Sequence, residues 1–308
     1  MSDTPGAAAP TISVIIPTRN RRTQLGECLT ALTEQAYPRD DFEVIVVDDG
    51  SAQTLDDVVH AFRDRLHVRL IRQQQQGPAA ARNRGIAEAR GRIVAFTDDD
   101  CRAAPEWLGA LARRFECTGE RLVGGQVHNA LTSNPFAITS QLIHDLAYSH
   151  HNPDGSAQFF ATNNLAATRE GLVRLGAFDP GFAIASEDRD LCARWRESGH
   201  ELVYAPEAQV AHAHHLTLSS FWAQHFRYGR GAWRYHAALR RRGQGRFARD
   251  LSFHAQFLRR AGTPLKTRGN AVSVALLLGV WQIANLTGFI FEAVASRLIS
   301  RGPAAKIS

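Results

Sequence analysis

The sequence predicts an α/β fold built on an open, mostly parallel central sheet, followed by a helical C-terminal region that is first basic and then apolar. Three observations lead there. Short β-branched runs alternate with helical patterns from Thr11 onward. The runs are apolar throughout, as strands covered on both faces by helices are. Beyond Leu216 the composition turns abruptly aromatic and basic, in FWAQHFRYGRGAWRYH and RRRGQGR.

The first run, TISVIIP from Thr11, precedes a helical pattern from Arg22 to Gln35 that sets Leu25, Cys28, Leu29 and Leu32 on one face, and FEVIVVD follows. Strand, helix and strand in that order begin a parallel βαβ unit. A third run, HVRLI from His67, leads into a helix expected from about Pro78 and closed by Gly91, with RIVAFTD directly after it. Proline in the first helical turn and glycine past the last are the expected punctuation. In open sheets of this kind ligands bind beyond the carboxyl ends of the strands. Polar clusters fall there: Pro17-Thr18-Arg19-Asn20 after the first strand, Asp48-Asp49-Gly50-Ser51 after the second, and Thr97-Asp98-Asp99-Asp100 after the fourth. Three such clusters on one edge predict a pocket. Further along, a helix is expected near Pro135 to Ser149, a turn at Asn152-Pro153-Asp154-Gly155, and a helix from Glu187 to Ser198 closed by Gly199.

With 308 residues, 44% hydrophobic and 21% charged, the chain can bury a sizeable core and does not belong to the disordered class. Cys28, Cys101, Cys117 and Cys192 form no CxxC pair, so neither a zinc site nor a disulfide framework is expected, and a reducing cytoplasmic setting is the simpler one. The opening MSDTPGAAAP lacks the charged-then-apolar order of a signal peptide, which makes residues 1–10 a disordered lead-in and keeps the α/β domain in the cytoplasm. The net charge of +6 is local: residues 225 to 268 hold twelve Lys or Arg against Asp250 alone, a +11 that leaves −5 elsewhere. A basic segment beside an apolar one points to an anionic membrane surface and away from nucleic acid. Gly269 to Phe291 carries no charged residue. At about 1.5 Å per residue a helix of that length spans a hydrocarbon core of about 30 Å. Gln282 and Asn285 count against a simple span, and a buried helix capping the domain is the other reading. The expected organisation is therefore 1–10 lead-in, 11–215 α/β domain, 216–268 basic aromatic helical region, 269–295 membrane-associated or transmembrane helix, and 296–308 basic tail.

Asp98 and Asp100 stand one residue apart after a strand, where alternate side chains share a side. Two carboxylates so placed suit Mn²⁺ or Mg²⁺, with phosphate oxygens completing the shell; a solvated acidic turn is the plainer alternative. Glu187 and Asp188 open a helix whose dipole favours their anionic forms. Both a helix cap and a general base fit that position. Asp190 and Arg194, four apart, are expected to form an ion pair on the helix face. His212, His214 and His215 follow the strand-like AQVAH; either one of them, His212 first, completes a metal site or all three are surface residues. Zinc hydrolysis is disfavoured, since no HExxH or Cys/His spacing accompanies them.

The order SVIIPTRN, FEVIVVDDGS, GPAAARNRGIAEARGRIVAFTDDDC, GAFDPGF, SEDRDLCARW and a late histidine, from Ile12 to His215, resembles family 2 glycosyltransferases with the GT-A fold. The resemblance implies a nucleotide-diphosphate sugar donor, with Pro17, Arg19 and Asp49 at its base and ribose. It implies Asp98 and Asp100 as the metal pair, with Asp99 between them near the ribose or diphosphate. Asp188 matches the catalytic base and Glu187 its support, and the anomeric carbon is inverted in one displacement. Arg82 and Asn83 fall in the segment beside the nucleotide. The QxxRW pattern of processive synthases is missing, which implies transfer of a single sugar. The basic and apolar tail adds an acceptor at the inner membrane surface, a glycan or lipid-linked sugar, in cell-surface polysaccharide or glycolipid synthesis. Two other functions stay open. A sugar nucleotidyltransferase would need a glycine-rich loop after the first strand, and PTRNRR has no glycine. A catalytically silent nucleotide-sugar-binding or assembly protein would have no need of the Glu187-Asp188 pair.

Overall fold

The computed structural model describes residues 11–116, 119–152, 157–244 and 271–300. The expectations placed on 1–10, on Cys117, on the turn at 153–155, on 245–270 and on 301–308 lie outside the described residues.

β1 (Ile12–Thr18) pairs in parallel with β2 (Phe42–Asp48) on one side and with β4 (Ile93–Phe96) on the other, and β3 (Val68–Arg72) continues the parallel ladder beyond β2. The eight strands lie in the order β3-β2-β1-β4-β7-β6-β8-β5. β7 (Leu165–Thr168) runs antiparallel to both β4 and β6 (Arg121–Asn129), β8 (Glu201–His212) runs parallel to β6, and β5 (Cys101–Ala103) closes the edge antiparallel to β8. The α/β sheet read from the apolar runs is thus present and mostly parallel.

Both faces of the parallel half are covered, which is why its strands carry no polar alternation. Val14 and Ile16 of β1 join Leu25, Cys28, Leu29 and Leu32 of α1 (Arg22–Thr33) in one core cluster, the helix face that the periodicity predicts. Ile15 points the other way, toward α3 (Pro78–Glu88), where a Cβ on Gly85 would stand 2.5 Å from it. A short helix, α2 (Asp56–His60), lies between β2 and β3 and carries no sequence signal of its own. Beyond β5, α4 (Trp107–Arg113) buries Trp107, whose indole donates to Asn164 Oδ1 at 2.9 Å. α6 (Arg169–Leu175) follows β7 and α7 (Glu187–Glu197) precedes β8.

The chain divides into two compact units. The first holds all eight strands. The second gathers Leu131–His150, Ile184–Asp190 and the chain from His215 on, hence most of α5 (Pro135–His151), the first turn of α7, α8 (Leu218–Arg241) and α9 (Ala271–Ser300). Thr217 and Ser220 form a reciprocal capping box that starts α8. α8 and α9 pack backbone to backbone: a Cβ on Gly229 would overlap the Asn285 carbonyl, and one on Gly288 the Phe226 carbonyl. Buried Glu292 accepts from Arg230 and Arg234, each at 2.7 Å, so the charge inside the apolar helix is compensated by its neighbour.

Glu43 gives the sheet a pH-sensitive polar lock. Its buried carboxylate accepts from Ser13 Oγ and Arg90 N, each at 2.8 Å, and from Arg69 at 2.9 Å. Burial alone would raise its pKa, but these donors together hold it below the usual 4.5. A depressed carboxylate contributes stability above its unfolded pKa and loses it as pH falls through the folded value. Glu43→Gln should therefore cost about 1–3 kcal/mol at pH 7. That penalty should shrink below pH 4.5, checked by urea midpoints across pH 3–7.

Candidate active site

β4 stops at Phe96, and the chain turns through Thr97–Asp100 into β5, so three carboxylates follow one another at the carboxyl edge of the sheet. Each meets a partner from a different element. Asp98 takes Arg82 Nη2 of α3 at 2.8 Å, and Arg82 is almost wholly buried. Asp99 accepts from Thr18 Oγ1, at the end of β1, at 2.7 Å and from Arg21 Nη1 at 3.0 Å. Asp100 meets Arg21 Nη1 on Oδ2 at 2.7 Å and His212 Nε2 on Oδ1 at 2.9 Å. The last contact follows from sheet register: Cys101 pairs with His212 across β5 and β8, and Ala213 N donates to the Asp100 carbonyl at 2.9 Å. Asn163 Nδ2 lies 3.3 Å from His212 Nδ1, and the His214 ring centroid 3.5 Å from that of His212.

The environments drive the two adjacent acids apart. Burial pushes Asp99 up to about 6, with Arg21 opposing. Burial would raise Asp100 too, but His212 and Arg21 overcome it and hold that carboxyl well below the usual range. Burial also raises the Cys101 thiol, with Asp98 and Asp100 adding to it.

Asp100, Cys101 and His212 offer donor atoms that all lie within 4.8 Å of one another. The carboxylate oxygen and imidazole nitrogen of this group are donors that fit Mn²⁺ or Mg²⁺. Asp98, read from the sequence as the second metal carboxylate, is held by Arg82 and stands outside this group of three.

On the nucleotide side, Pro17 is half-buried and Arg19 exposed. Both Asp49 oxygens serve the chain itself. Oδ1 accepts from Gln73 Nε2 and Gln76 N, each at 2.8 Å, and Oδ2 from Gly77 N at 2.9 Å. Asp49 thereby folds the loop that starts α3. Gly77 stands at φ 92°, and a Cβ there would meet the Ala183 carbonyl at 2.7 Å, so glycine is required twice over. Asn83 fastens GAFDPGF to α3 by donating to the Phe178 carbonyl at 2.7 Å and accepting its N–H at 2.9 Å.

Glu187 is buried and Asp188 half-buried, with Asp188 Oδ1 accepting from Arg189 N at 2.7 Å. Ser186, immediately before them, is held at φ 73°, a conformation side-chain-bearing residues avoid. α8 supports this segment within the second unit. Arg242 Nη1 donates to fully buried Asp190 at 2.7 Å, and the Arg189 guanidinium lies 4.9 Å from the centre of the Tyr235 ring. Arg194, paired with Asp190 in the sequence reading, donates to the Leu175 and Ala177 carbonyls at 3.0 and 2.6 Å.

Thr18 stood in the first polar cluster of the sequence reading without a role of its own, and Arg21 escaped that reading as a site residue. The signal was the run RNRR beside the first strand end, where a basic residue before a helix looks like ordinary solvated charge.

Solved structures identify the fold. The mannosyltransferase PcManGT from Pyrobaculum calidifontis, in complex with GDP-Man and Mn²⁺, superposes with a TM-score of 0.66 at 22% identity over 95% of this chain and 88% of its own. Residues 1–349 of S. aureus TarS superpose with a TM-score of 0.55 at 16% identity over 94% and 91%. This is the GT-A glycosyltransferase fold. Residues 13–174 match the Glycosyl transferase family 2 model, and the chain belongs to that family, which transfers sugar from nucleotide-sugar donors. The glycosyltransferase AglE of Haloferax volcanii is 31% identical over 231 residues, which cover 72% of this chain and 73% of AglE. A pre-mycofactocin glycosyltransferase of Mycobacterium tuberculosis is 32% identical over 72% of this chain and 46% of its own length.

The support given by α8 is open to a direct check. A Cβ on Gly231 would stand 2.7 Å from both the Ala185 carbonyl and Ser186 Oγ. In an ordinary helix interior, glycine to alanine gains about 1 kcal/mol. Here Gly231→Ala should instead destabilise by about 1–3 kcal/mol, read from the urea midpoint, because the added methyl drives against the Ser186 segment.

Proposed function

We propose that this chain is a metal-dependent, inverting glycosyltransferase that moves a single sugar from a nucleotide-diphosphate sugar to an acceptor hydroxyl. The pairing of Asp100 with His212 at 2.9 Å carries the reading: the register of β5 on β8 holds an oxygen and an imidazole donor side by side where strands end. Asp100 and His212 hold the cation, with Asp98 and Asp99 toward the diphosphate and ribose, and Pro17, Arg19 and Asp49 toward base and ribose. When bound, Mn²⁺ or Mg²⁺ neutralises the departing nucleoside diphosphate. Asp188, supported by Glu187, takes the proton from the acceptor hydroxyl. Its place in the first turn of α7 favours the anion that this task needs.

The acceptor reading, a lipid-linked sugar or glycan in cell-surface polysaccharide or glycolipid synthesis, is supported by α9. Val272–Leu298 has a mean hydropathy of 1.8, and a third of its most apolar window is buried. Val272, Leu276, Ile283, Leu286, Ile290, Val294 and Leu298 line its exposed surface. Its one acid, Glu292, is buried and paired with Arg230 and Arg234 of α8. An apolar face beside arginines suits the headgroup boundary of an anionic leaflet, and we place the enzyme on the cytoplasmic face of the cell membrane.

Replacing Asp188 with Asn should leave Mn²⁺-dependent donor binding intact while transfer falls by about 10² or more. Unchanged turnover would remove Asp188 from the base role, and binding without turnover in the wild type against every acceptor would favour a silent binding protein. For the membrane, Leu276→Ser combined with Ile283→Ser and Ile290→Ser should abolish sedimentation with phosphatidylglycerol vesicles and leave nucleotide binding unchanged. Undiminished sedimentation would move the contact off α9.

A further inference from the structure

Arg21 reaches two carboxylates of the acid cluster, Asp99 Oδ1 at 3.0 Å and Asp100 Oδ2 at 2.7 Å. His212 takes the remaining Asp100 oxygen at 2.9 Å. Both oxygens of the proposed metal carboxylate are therefore engaged from within the chain. Charge counting gives the consequence. Asp98, Asp99 and Asp100 against Arg82 and Arg21 leave one net negative charge before His212 is counted. A divalent cation arriving alone turns that into one net positive charge and sets it against the guanidinium. A cation arriving with a diphosphate brings its own compensation, and the phosphate oxygens offer the guanidinium a bidentate partner. The two arginines differ in freedom: the Arg82 side chain is 4% exposed and that of Arg21 49%. Arg82 is a fixed part of the fold, whereas Arg21 has solvent to turn through.

We infer that Arg21 is an internal counter-cation that excludes free metal from Asp100 and gives way when the metal arrives with a nucleoside diphosphate, so that metal and donor bind as a unit. The inference rests on the reading of Asp100 and His212 as the metal pair. It makes Arg21 a positioning residue whose effect shows in binding with no turnover needed.

The test is a titration of Mn²⁺ into full-length protein, followed by the electron paramagnetic resonance of the free ion. It compares wild type, Arg21→Gln, Arg21→Lys and Asp100→Asn, each alone and with saturating UDP, GDP or dTDP. Arg21→Gln should bind Mn²⁺ alone at least about ten-fold more tightly than wild type, since it removes a repelling charge. Arg21→Lys should stay close to wild type. The diphosphate that binds should tighten Mn²⁺ by a larger factor in wild type than in Arg21→Gln. Equal or weaker Mn²⁺ binding by Arg21→Gln, with binding lost in Asp100→Asn, would overturn the gate and leave the metal pair standing. Mn²⁺ binding that survives Asp100→Asn unchanged, or no binding by any form with any nucleotide, would overturn both.

Discussion

Three successive carboxylates have to be held at one strand end, and the rest of the site is arranged around that constraint. Two like unit charges 4 Å apart repel by about 4 kcal/mol at the effective dielectric of a protein surface. The chain answers with partners from different elements: Arg82 of α3 for Asp98, Thr18 at the end of β1 for Asp99, His212 at the end of β8 for Asp100, and Arg21 shared between Asp99 and Asp100. Only a sheet that places β1 beside β4 and returns β8 against β5 brings these groups to one edge. The compensation is unequal, and so are the results. Asp100, facing an imidazole and a guanidinium, stays anionic, while Asp99 is pushed up to about 6 by burial. Adjacent acids whose pKa values are driven apart are suited to different tasks.

The loops around the cluster are shaped by polar residues that look, in sequence, as if they were free for ligand. Asp49 spends both oxygens on the Gln73–Gly77 loop, and Asn83 spends its amide on Phe178. Such bonds fix backbone positions before a ligand arrives, which lowers the ordering cost of binding.

How much of this was legible follows from the range of each interaction. Apolar runs and glycine or proline punctuation are local, so β1, β2, β4, α1 and α3 and the acids at their ends could be read residue by residue. His212 entered as one of three histidines and was singled out in space by its pairing with Cys101, across more than a hundred residues of chain. Arg21 lies 78 and 79 residues from its acid partners, and Arg242 lies 52 from Asp190. No periodicity encodes such distances. The short α2 left no trace because five residues are too few for a helical period to show.

The change of composition at Leu216 does not part α8 from the Glu187-Asp188 turn, which lies in the same compact unit. α8 lies beyond that point, yet its Gly231 admits the Ala185–Ser186 backbone and Arg242 at its C-terminal end fastens Asp190. Along its length the same helix is clamped to α9 through Gly229, Gly288 and the Glu292 ion pairs. A positive φ at Ser186 persists only where surroundings over-determine it, and within the second unit those surroundings include the helix that α9 clamps. α8 therefore belongs to the architecture of the Glu187-Asp188 turn, and a chain cut at the composition boundary would lose the packing of Gly231 on Ala185–Ser186 and the Arg242 bond to Asp190.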